Sequence, residues 1–474
     1  MNTTRTDVLD IEPSERRATT ARPTPASVPL WTGAALGVLT FLAYLPGRGR
    51  SLDFDSAQTV GMFVRPGPPW AAFQLQAAFN NHPFFSFLEQ LVRVVTGRTD
   101  AATMRLLPIL FGAVAVGVLT WFATRRHGLA AGLVAGGLLA CNPTFVTLSR
   151  GVRGYSLLVL CAIVATVLVA EDRPDRSRWA DLAYVAFAGI GLATHLYMFP
   201  VVVAHVGAVI ARGRLDARWR LRFAFVGALA ALAYVGMAAT LVDSMGAYSR
   251  VLKTGLPGQV FVMATGGGWA SLAVGPLVVV GAILLLRRSR ASRGAAAALI
   301  GVLLLQWAGL QTSALTARFY VWLVPAAAYL AAVAVARFRA VAVLGGIAVA
   351  LALAVVVPGF TDSPTAYPEA AALIRQANAT GARSCVIDIG VAPMLAYLDS
   401  PGDFATITDP TGFDRCDVVV VAAWWAEPAD WYARDRLLLA QAEQRFDHRL
   451  VLPYGDPILV LSNRVLPEAG APTG

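Results

Sequence analysis

Two carboxylates, Asp53 and Asp55, lie in a polar stretch that follows the first apolar run of the chain. A carboxylate in such a place can accept a proton from a hydroxyl group and orient it for attack, which is general-base catalysis. Two carboxylates that are two residues apart can also hold a divalent cation through their oxygens. Aspartates are equally common in solvated turns. The pair therefore leaves two hypotheses open, a catalytic or cation-binding site and an ordinary loop.

Four arginines lie close to apolar segments, where a positive charge is costly and usually has a partner. Guanidinium groups bind phosphates through two parallel hydrogen bonds. Arginines that converge from different segments would therefore form a site for a phosphate or diphosphate, whereas snorkelling to lipid headgroups would explain any one of them alone. The four are Arg105, Arg150, Arg153 and Arg318.

Two histidines have chemistry that a membrane-surface site can use. His82 precedes Pro83 and could be a proton shuttle or a phosphate partner, or it could simply precede a helix that begins at this proline. His195 and Tyr197 fall at a junction between two apolar segments. They would either line a cavity or pack at the membrane interface.

The stretch 71–95 is amphipathic and rich in phenylalanine. It predicts one or two helices that lie in the membrane interface with the apolar face down. Glu89 and Arg93 are four residues apart on such a helix, so we expect them to form an ion pair.

Composition decides what kind of protein must position these residues. Hydrophobic residues make up 57% of the 474 and charged residues only 14%, against about 25% charged in soluble domains. A chain this apolar is not one water-soluble core. Its 39 Lys and Arg outnumber 29 Asp and Glu, but they stand in short runs between apolar segments. That pattern indicates membrane topology rather than a face that binds nucleic acid.

The apolar segments predict an all-α bundle of about eleven transmembrane helices, since each span needs roughly 20 apolar residues. Residues 1–28 are polar, and we expect them to be disordered. The first apolar run should be an uncleaved anchor. The predicted spans are 29–46, 103–124, 128–146, 154–170, 180–195, 197–211, 223–242, 269–286, 295–313, 319–336 and 340–357.

The basic connections alternate along this arrangement and fall on one side together with the N-terminus. The positive-inside rule makes that side cytoplasmic in a multi-pass protein of the cell membrane. The outer side then receives the first loop, 47–102, and the C-terminal region, 358–474. The membrane domain is 29–357, and it carries the two aspartates in its first outer loop.

The region 358–474 alternates strand-like and helical patterns, which predicts a small extracytoplasmic α/β domain. The strand-like runs are 384–389, 417–423 and 457–462. Cys385 and Cys416 begin two of these strands. If the strands are parallel neighbours, the thiols could form a disulfide in the oxidising compartment, and two free cysteines are the alternative. We expect the domain to bind or orient an acceptor, or else to serve as a lid or folding cap.

These landmarks together resemble the GT-C superfamily of membrane glycosyltransferases. The resemblance is to the bacterial branch with protein mannosyltransferases, lipid A aminoarabinose transferases and the RgtA/B/C/D-like enzymes. It extends over about 47–336. The motifs are LDFDSA (52–57), NHPFF (81–85), RLLPILFG (105–112), SRGVRGYSL (149–157), THLY (194–197) and ARFYVWLVP (317–325).

The resemblance implies an inverting transfer of a sugar from a polyprenyl-phosphate donor to a glycan, lipid or protein acceptor on the outer face. The catalytic acid of the family maps to Asp53 or Asp55, and Phe54 between them departs from the usual adjacent pair. We favour Asp55 as the base, with Asp53 in support or beside a divalent cation. The expected phosphate ligands are Arg105, Arg150, Arg153, Arg318 and His82, and the expected cavity residues are Tyr155, His195, Tyr197 and Tyr320.

Two other classes of protein compete with an enzyme. A secondary transporter would suit many spans with intramembrane arginines, but it should show an internal repeat, which the sequence lacks. A non-catalytic protein of envelope assembly would need no carboxylate in the first outer loop. Both would share membrane lipids as partners.

Overall fold

The computed structural model describes most of the chain. The residues described are 27–73, 81–172, 177–238, 255–309, 316–337, 365–398, 401–421, 433–452 and 458–463. Of the segment 1–28 that was predicted to be disordered, residues 1–26 lie outside the described residues, whereas residues 27 and 28 belong to the first helix. The predicted span 340–357 also lies outside the described residues.

Helices occupy every predicted span that falls within the described residues, and short helices also occur in the described parts of residues 47–102. The loop helices include a π-helix at Thr59–Val64 and a 3-10 helix at Pro69–Phe73. In chain order the α-helices of this part are α1 (Ser27–Tyr44), α2 (Phe54–Gln58), α3 (Pro83–Thr96), α4 (Ala101–Met104), α5 (Leu106–His127), α6 (Leu129–Ala140), α7 (Pro143–Arg150), α8 (Tyr155–Ala170), α9 (Arg178–Thr194), α10 (Phe199–Ala211), α11 (Ala217–Tyr234), α12 (Leu256–Thr265), α13 (Gly268–Arg288), α14 (Arg290–Gly309) and α15 (Leu323–Val335).

Three helical segments of the described chain are long and apolar enough to cross a bilayer unaided. They are α1, Ala101–His127 and α13, and the pair α6 and α7, bent by 61°, would make a fourth. Other apolar helices, such as α8 and α15, have fewer than 18 residues. The chain is therefore a helical membrane protein, and its number of about eleven spans stays a prediction.

Small residues let neighbouring helices approach closely, which is how helices associate in lipid. Gly33 of α1 lies against Gly117 of α5, and a Cβ added at Gly33 would stand 2.6 Å from the Gly117 carbonyl oxygen. Gly207 of α10 and Gly294 of α14 make the same kind of contact. Any larger residue at these positions would push the helices apart.

Where the structure describes the C-terminal region, it contains a mixed sheet and three α-helices, α16 (Tyr367–Ala379), α17 (Asp388–Met394) and α18 (Ala433–Arg445). The sheet has the order β2-β1-β3-β5-β4, in which β1 is parallel to β2 and β3, and β5 is antiparallel to β3 and β4. The strands are β1 (Ser384–Ile387), β2 (Ala405–Ile407), β3 (Val418–Val421), β4 (His448–Leu452) and β5 (Ile458–Ser462).

The three central strands are those that the sequence predicted. The first of them is shorter than expected, because residues 388–394 leave the sheet as α17. Sequence reasoning missed β2 and β4, which form the two edges of the sheet and expose most of their residues. Cys385 in β1 and Cys416 just before β3 are joined in a disulfide, whereas Cys141 and Cys161 are free.

We predict that replacing both Cys385 and Cys416 by Ser lowers the free energy of unfolding of the C-terminal region by about 2–4 kcal/mol, because a cross-link restricts the unfolded chain. Peptide mapping of the wild-type protein without reduction should recover the two residues as one linked peptide. Cys161 serves as the control, since alkylation after unfolding should label it. Recovery of alkylated Cys385 and Cys416 without reduction would contradict the disulfide.

Candidate active site

Asp53 and Asp55 open α2, but the two carboxylates face different partners. Asp53 is the N-cap residue: its Oδ1 accepts the Ser56 backbone N–H at 2.9 Å and its Oδ2 accepts the Ser56 hydroxyl at 2.8 Å. Such a cap satisfies a backbone donor that the first turn of a helix leaves without a partner. The structure thus gives Asp53 a local role in starting the helix that carries Asp55.

The Asp55 carboxylate lies between two arginines from distant parts of the chain. Arg318 donates from Nη1 to Asp55 Oδ2 at 2.5 Å, and Arg153 Nη1 lies 4.0 Å from Asp55 Oδ1. Arg153 is almost fully buried, whereas the side chain of Arg318 is 40% exposed. Of the two cations, Arg318 is therefore the one that a bound molecule can reach.

The segment that carries Arg153 is fastened to α2 by further bonds. The Val152 backbone N–H donates to Ser56 Oγ at 2.9 Å. Arg153 Nη1 is 3.4 Å from the Asp55 carbonyl oxygen and 3.5 Å from Thr59 Oγ1. Thr59 begins the π-helix, and π-helical turns occur frequently at functional sites.

Aromatic rings from four separate segments form one continuous cluster beside this ion pair. It contains all the residues predicted to line a cavity, together with His82 and Phe319. The ring centroids are separated by 5.0 Å for His82–His195, 5.2 Å for His82–Tyr155, 5.4 Å for Tyr155–His195, 5.4 Å for His195–Tyr197, 5.1 Å for Tyr197–Phe319 and 5.4 Å for Tyr197–Tyr320.

His82 belongs to this cluster as a neutral ring. Burial lowers the pKa of His82 well below its usual range, and the positive charge of Arg153 lowers it further. Its Nδ1 lies 3.3 Å from the Thr194 carbonyl oxygen, and within the described chain its buried Nε2 has no hydrogen-bond partner. His82 directly precedes α3 but makes no side-chain capping bond. A neutral imidazole can accept a hydrogen bond but adds no positive charge for a phosphate.

The other two predicted phosphate ligands, Arg105 and Arg150, bind backbone instead. Arg105 is fully buried, and Arg150 donates to the Pro46 carbonyl oxygen at 2.5 Å. Together they secure the connection from α1 to α2. The guanidinium of Arg105 donates to the carbonyl oxygens of Arg48 at 3.0 Å, Arg50 at 2.5 Å, Ser51 at 3.0 Å and Arg150 at 3.1 Å.

The donor set at the aspartates does not fit the divalent cation that the sequence left open. Both oxygens of Asp53 are bonded to Ser56, and the carboxylate of Asp55 faces two guanidinium groups that would repel a cation. Among the residues described, no group of three or more His, Cys, Asp or Glu side chains is placed to hold a metal ion.

Sequence reasoning misjudged Glu89. The expected ion pair with Arg93 does not form in the described structure, because Arg93 turns to the Gly67 carbonyl oxygen at 2.7 Å and Glu89 faces inward. Glu89 is fully buried, and neither carboxyl oxygen has a partner in the part of the chain that the structure describes. Burial raises the pKa of Glu89 well above its ordinary value, because the site disfavours the charged form.

Comparison with known proteins agrees with this architecture. The sequence model of the dolichyl-phosphate-mannose-protein mannosyltransferase family matches residues 80–238. No curated protein matches the chain by sequence. The matched residues begin just before His82 and end just after α11 and the 3-10 helix Val235–Met237 that follows it.

Solved structures match nearly the whole chain. ArnT from Cupriavidus metallidurans in the apo state has a TM-score of 0.59 and 15% identity, over 92% of this chain and 97% of ArnT. The same enzyme bound to undecaprenyl phosphate has a TM-score of 0.57 and 14% identity, over 95% and 100%. The oligosaccharyltransferase of Archaeoglobus fulgidus in complex with Zn and sulfate has a TM-score of 0.55 and 12% identity, over 90% and 73%.

The fold is therefore that of the GT-C membrane glycosyltransferases, and the resemblance predicted from the motifs is confirmed. Within this class the chain is similar to ArnT over almost its full length.

We predict that Glu89→Gln stabilises the protein more at pH 8 than at pH 5. The raised pKa means that Glu89 contributes its full stability only below about pH 4.3, and this contribution declines as the pH rises toward the folded-state pKa. Glutamine has no such dependence. Thermal unfolding at the two pH values measures the difference. Glu443→Gln, at a carboxylate paired with Arg449, controls for the loss of charge, and an equal gain at both pH values would contradict the prediction.

Proposed function

We propose that this chain transfers a sugar from a polyprenyl-phosphate donor to an envelope acceptor on the outer face of the cell membrane. The observation that carries the proposal is the Asp55 carboxylate held between Arg318 and Arg153 beside the aromatic cluster. Two comparisons support it: ArnT, which has the same fold, is described with undecaprenyl phosphate bound, and the matching family is named for a dolichyl-phosphate-linked mannose donor.

In the proposed reaction, Asp55 takes the proton of the acceptor hydroxyl as its oxygen attacks the anomeric carbon of the sugar. The bond from that carbon to the phosphate oxygen breaks, and the polyprenyl phosphate leaves with the electron pair. Attack from the opposite side inverts the anomeric configuration. A phosphate leaving group needs stabilisation of negative charge rather than a proton. Arg318 supplies it by contact, and the buried charge of Arg153 adds to the positive potential of the site.

The ion pair has a consequence for the order of events. A carboxylate bonded to a guanidinium is a weak base, because the nearby positive charge stabilises its ionised form. We propose that the donor phosphate draws the half-exposed Arg318 away from Asp55, so that the base gains strength only when the donor is in place. Arg153, which is buried, keeps its position.

The aromatic cluster suits a sugar and the first part of its lipid. Tyrosine and histidine rings offer an apolar face with a polar edge, and neutral His82 adds a hydrogen-bond acceptor. Arg105, Arg150 and Asp53 act in this proposal by shaping the loop, not by binding the phosphate. The first outer loop and the region 358–474 lie on the outer side, and the N-terminus is cytoplasmic.

We predict that Asp55→Asn lowers transfer by about 10²–10⁴-fold, the range typical of a lost general base. Purified protein and a set of polyprenyl-phosphate sugars measure it. Asp53→Asn is the matched control: asparagine also caps helices well, so this variant should keep most of the rate. Full transfer by Asp55→Asn would refute the proposed base. Solute uptake by both variants without any transfer would favour a transporter.

We also predict that Asp55 and Arg318 are coupled in lipid binding. Asp55→Asn should tighten the binding of undecaprenyl phosphate roughly tenfold, or about 1.4 kcal/mol, because Arg318 no longer has to leave a carboxylate. In the Arg318→Gln background the same change should have little effect. An equal gain in both backgrounds would indicate simple repulsion between Asp55 and the phosphate, and it would contradict the exchange of Arg318.

A further inference from the structure

The C-terminal region is hydrogen-bonded to residues 51–65, here called the acidic loop, chiefly at the backbone of Leu52. Tyr397 Oη accepts the Leu52 N–H at 2.6 Å, and Thr365 Oγ1 donates to the Leu52 carbonyl oxygen at 2.7 Å. The Thr365 N–H donates to Ser51 Oγ at 2.5 Å. Both polar backbone groups of Leu52, three residues before Asp55, are therefore bonded to the C-terminal region.

The other end of the acidic loop is bonded to residues 395–398, the turn that contains Tyr397. Arg65, directly after the π-helix, donates from Nη1 to the carbonyl oxygens of Leu395 at 2.8 Å and Leu398 at 2.5 Å. Between these two attachments, Gly61 packs against α17, where an added Cβ would collide with the Ala392 carbonyl oxygen. Residues 52–65 are thus fastened at both ends to residues 395–398.

These attachments matter because the loop cannot hold its shape alone. The helix α2 has five residues and continues directly into the π-helix, whereas isolated helices need about 12–15 residues to be even marginally stable in water. The membrane part also bonds to this loop. Arg105 donates to the Ser51 carbonyl oxygen, and the Val152 N–H donates to Ser56 Oγ. The loop that carries Asp55 is clamped between the two parts of the molecule.

We infer that the C-terminal region positions Asp55 against Arg318, with Tyr397 and Arg65 as the positioning residues. The inference rests on the proposed function, in which Asp55 is the base. This role of the C-terminal region differs from acceptor binding and from a lid, because Tyr397 and Arg65 bond the two parts of this chain to each other. Removing one attachment leaves a buried backbone group without its bond and lets the loop shift, and a shift of about 1 Å in a reacting group can cost on the order of 100-fold in rate.

The test uses the full-length protein in nanodiscs with a polyprenyl-phosphate sugar. Tyr397→Phe should lower kcat about 10- to 100-fold. The KM for the donor should not rise, and the affinity for undecaprenyl phosphate should not fall. In the Asp55→Asn background it should lower the residual rate no further, because Tyr397 acts only through Asp55. Arg65→Met should behave like Tyr397→Phe, and Arg65→Lys, which still donates to the carbonyl oxygens, should recover part of the rate.

Tyr329→Phe is the matched control. It removes a tyrosine hydroxyl that lies 2.9 Å from His127 Nε2, in the membrane part and away from the acidic loop. A kcat equal to that of wild type is expected. A similar loss in Tyr329→Phe and Tyr397→Phe would mean that both changes merely destabilise the fold, which would overturn the inference.

Other outcomes also decide the matter. A normal kcat in Tyr397→Phe would overturn the inference. If the KM for the acceptor were raised at the same time, the C-terminal region would instead act in acceptor binding. If the wild-type protein transfers no sugar, the proposed function fails, and hydrogen exchange then judges the clamp by itself. Tyr397→Phe should raise amide exchange over residues 51–65 where Tyr329→Phe does not, and unchanged protection would overturn the inference.

Discussion

The contact between Asp55 and Arg318 is the interaction on which the arrangement of the candidate active site depends. It joins residues that are 263 positions apart in the chain, at a distance of 2.5 Å. An exposed ion pair contributes little on its own, but this one has Arg153 on its second side and the aromatic cluster next to it. The loop between α1 and α3, the turn after α7 and the segment before α15 therefore meet at one carboxylate.

The backbone around that carboxylate explains why so many arginines surround it. The connection from α1 to α2 is short and irregular, so its carbonyl oxygens lack the partners that a helix or sheet would supply, and buried backbone groups need partners. A guanidinium carries five donors in a rigid plane. Arg105 uses this geometry to bond four carbonyl oxygens at once. Arginine residues beside a membrane site can thus serve its architecture as well as its ligand.

The parts of the fold that sequence predicted correctly are those whose signal is local. Apolar runs marked the membrane helices, and short runs of mainly apolar residues marked β1, β3 and β5, which are buried in the centre of the sheet. The edge strands β2 and β4 were not predicted, because mostly exposed strands show no alternation of apolar and polar residues in the sequence. Glu89 escaped because spacing suggested a pair with Arg93, whereas packing turned Glu89 inward and Arg93 toward Gly67.

The sequence by itself determined which residue types stand near the ends of the helices, and in what order along the chain. It also determined that the protein is a helical membrane protein with a resemblance to GT-C glycosyltransferases. Only the tertiary structure decided which aspartate caps a helix and which faces the arginines, and which arginines bind backbone. The physical reason is that a side chain's partner depends on distances of a few ångströms between segments far apart in sequence, and these distances are set by packing of the whole bundle.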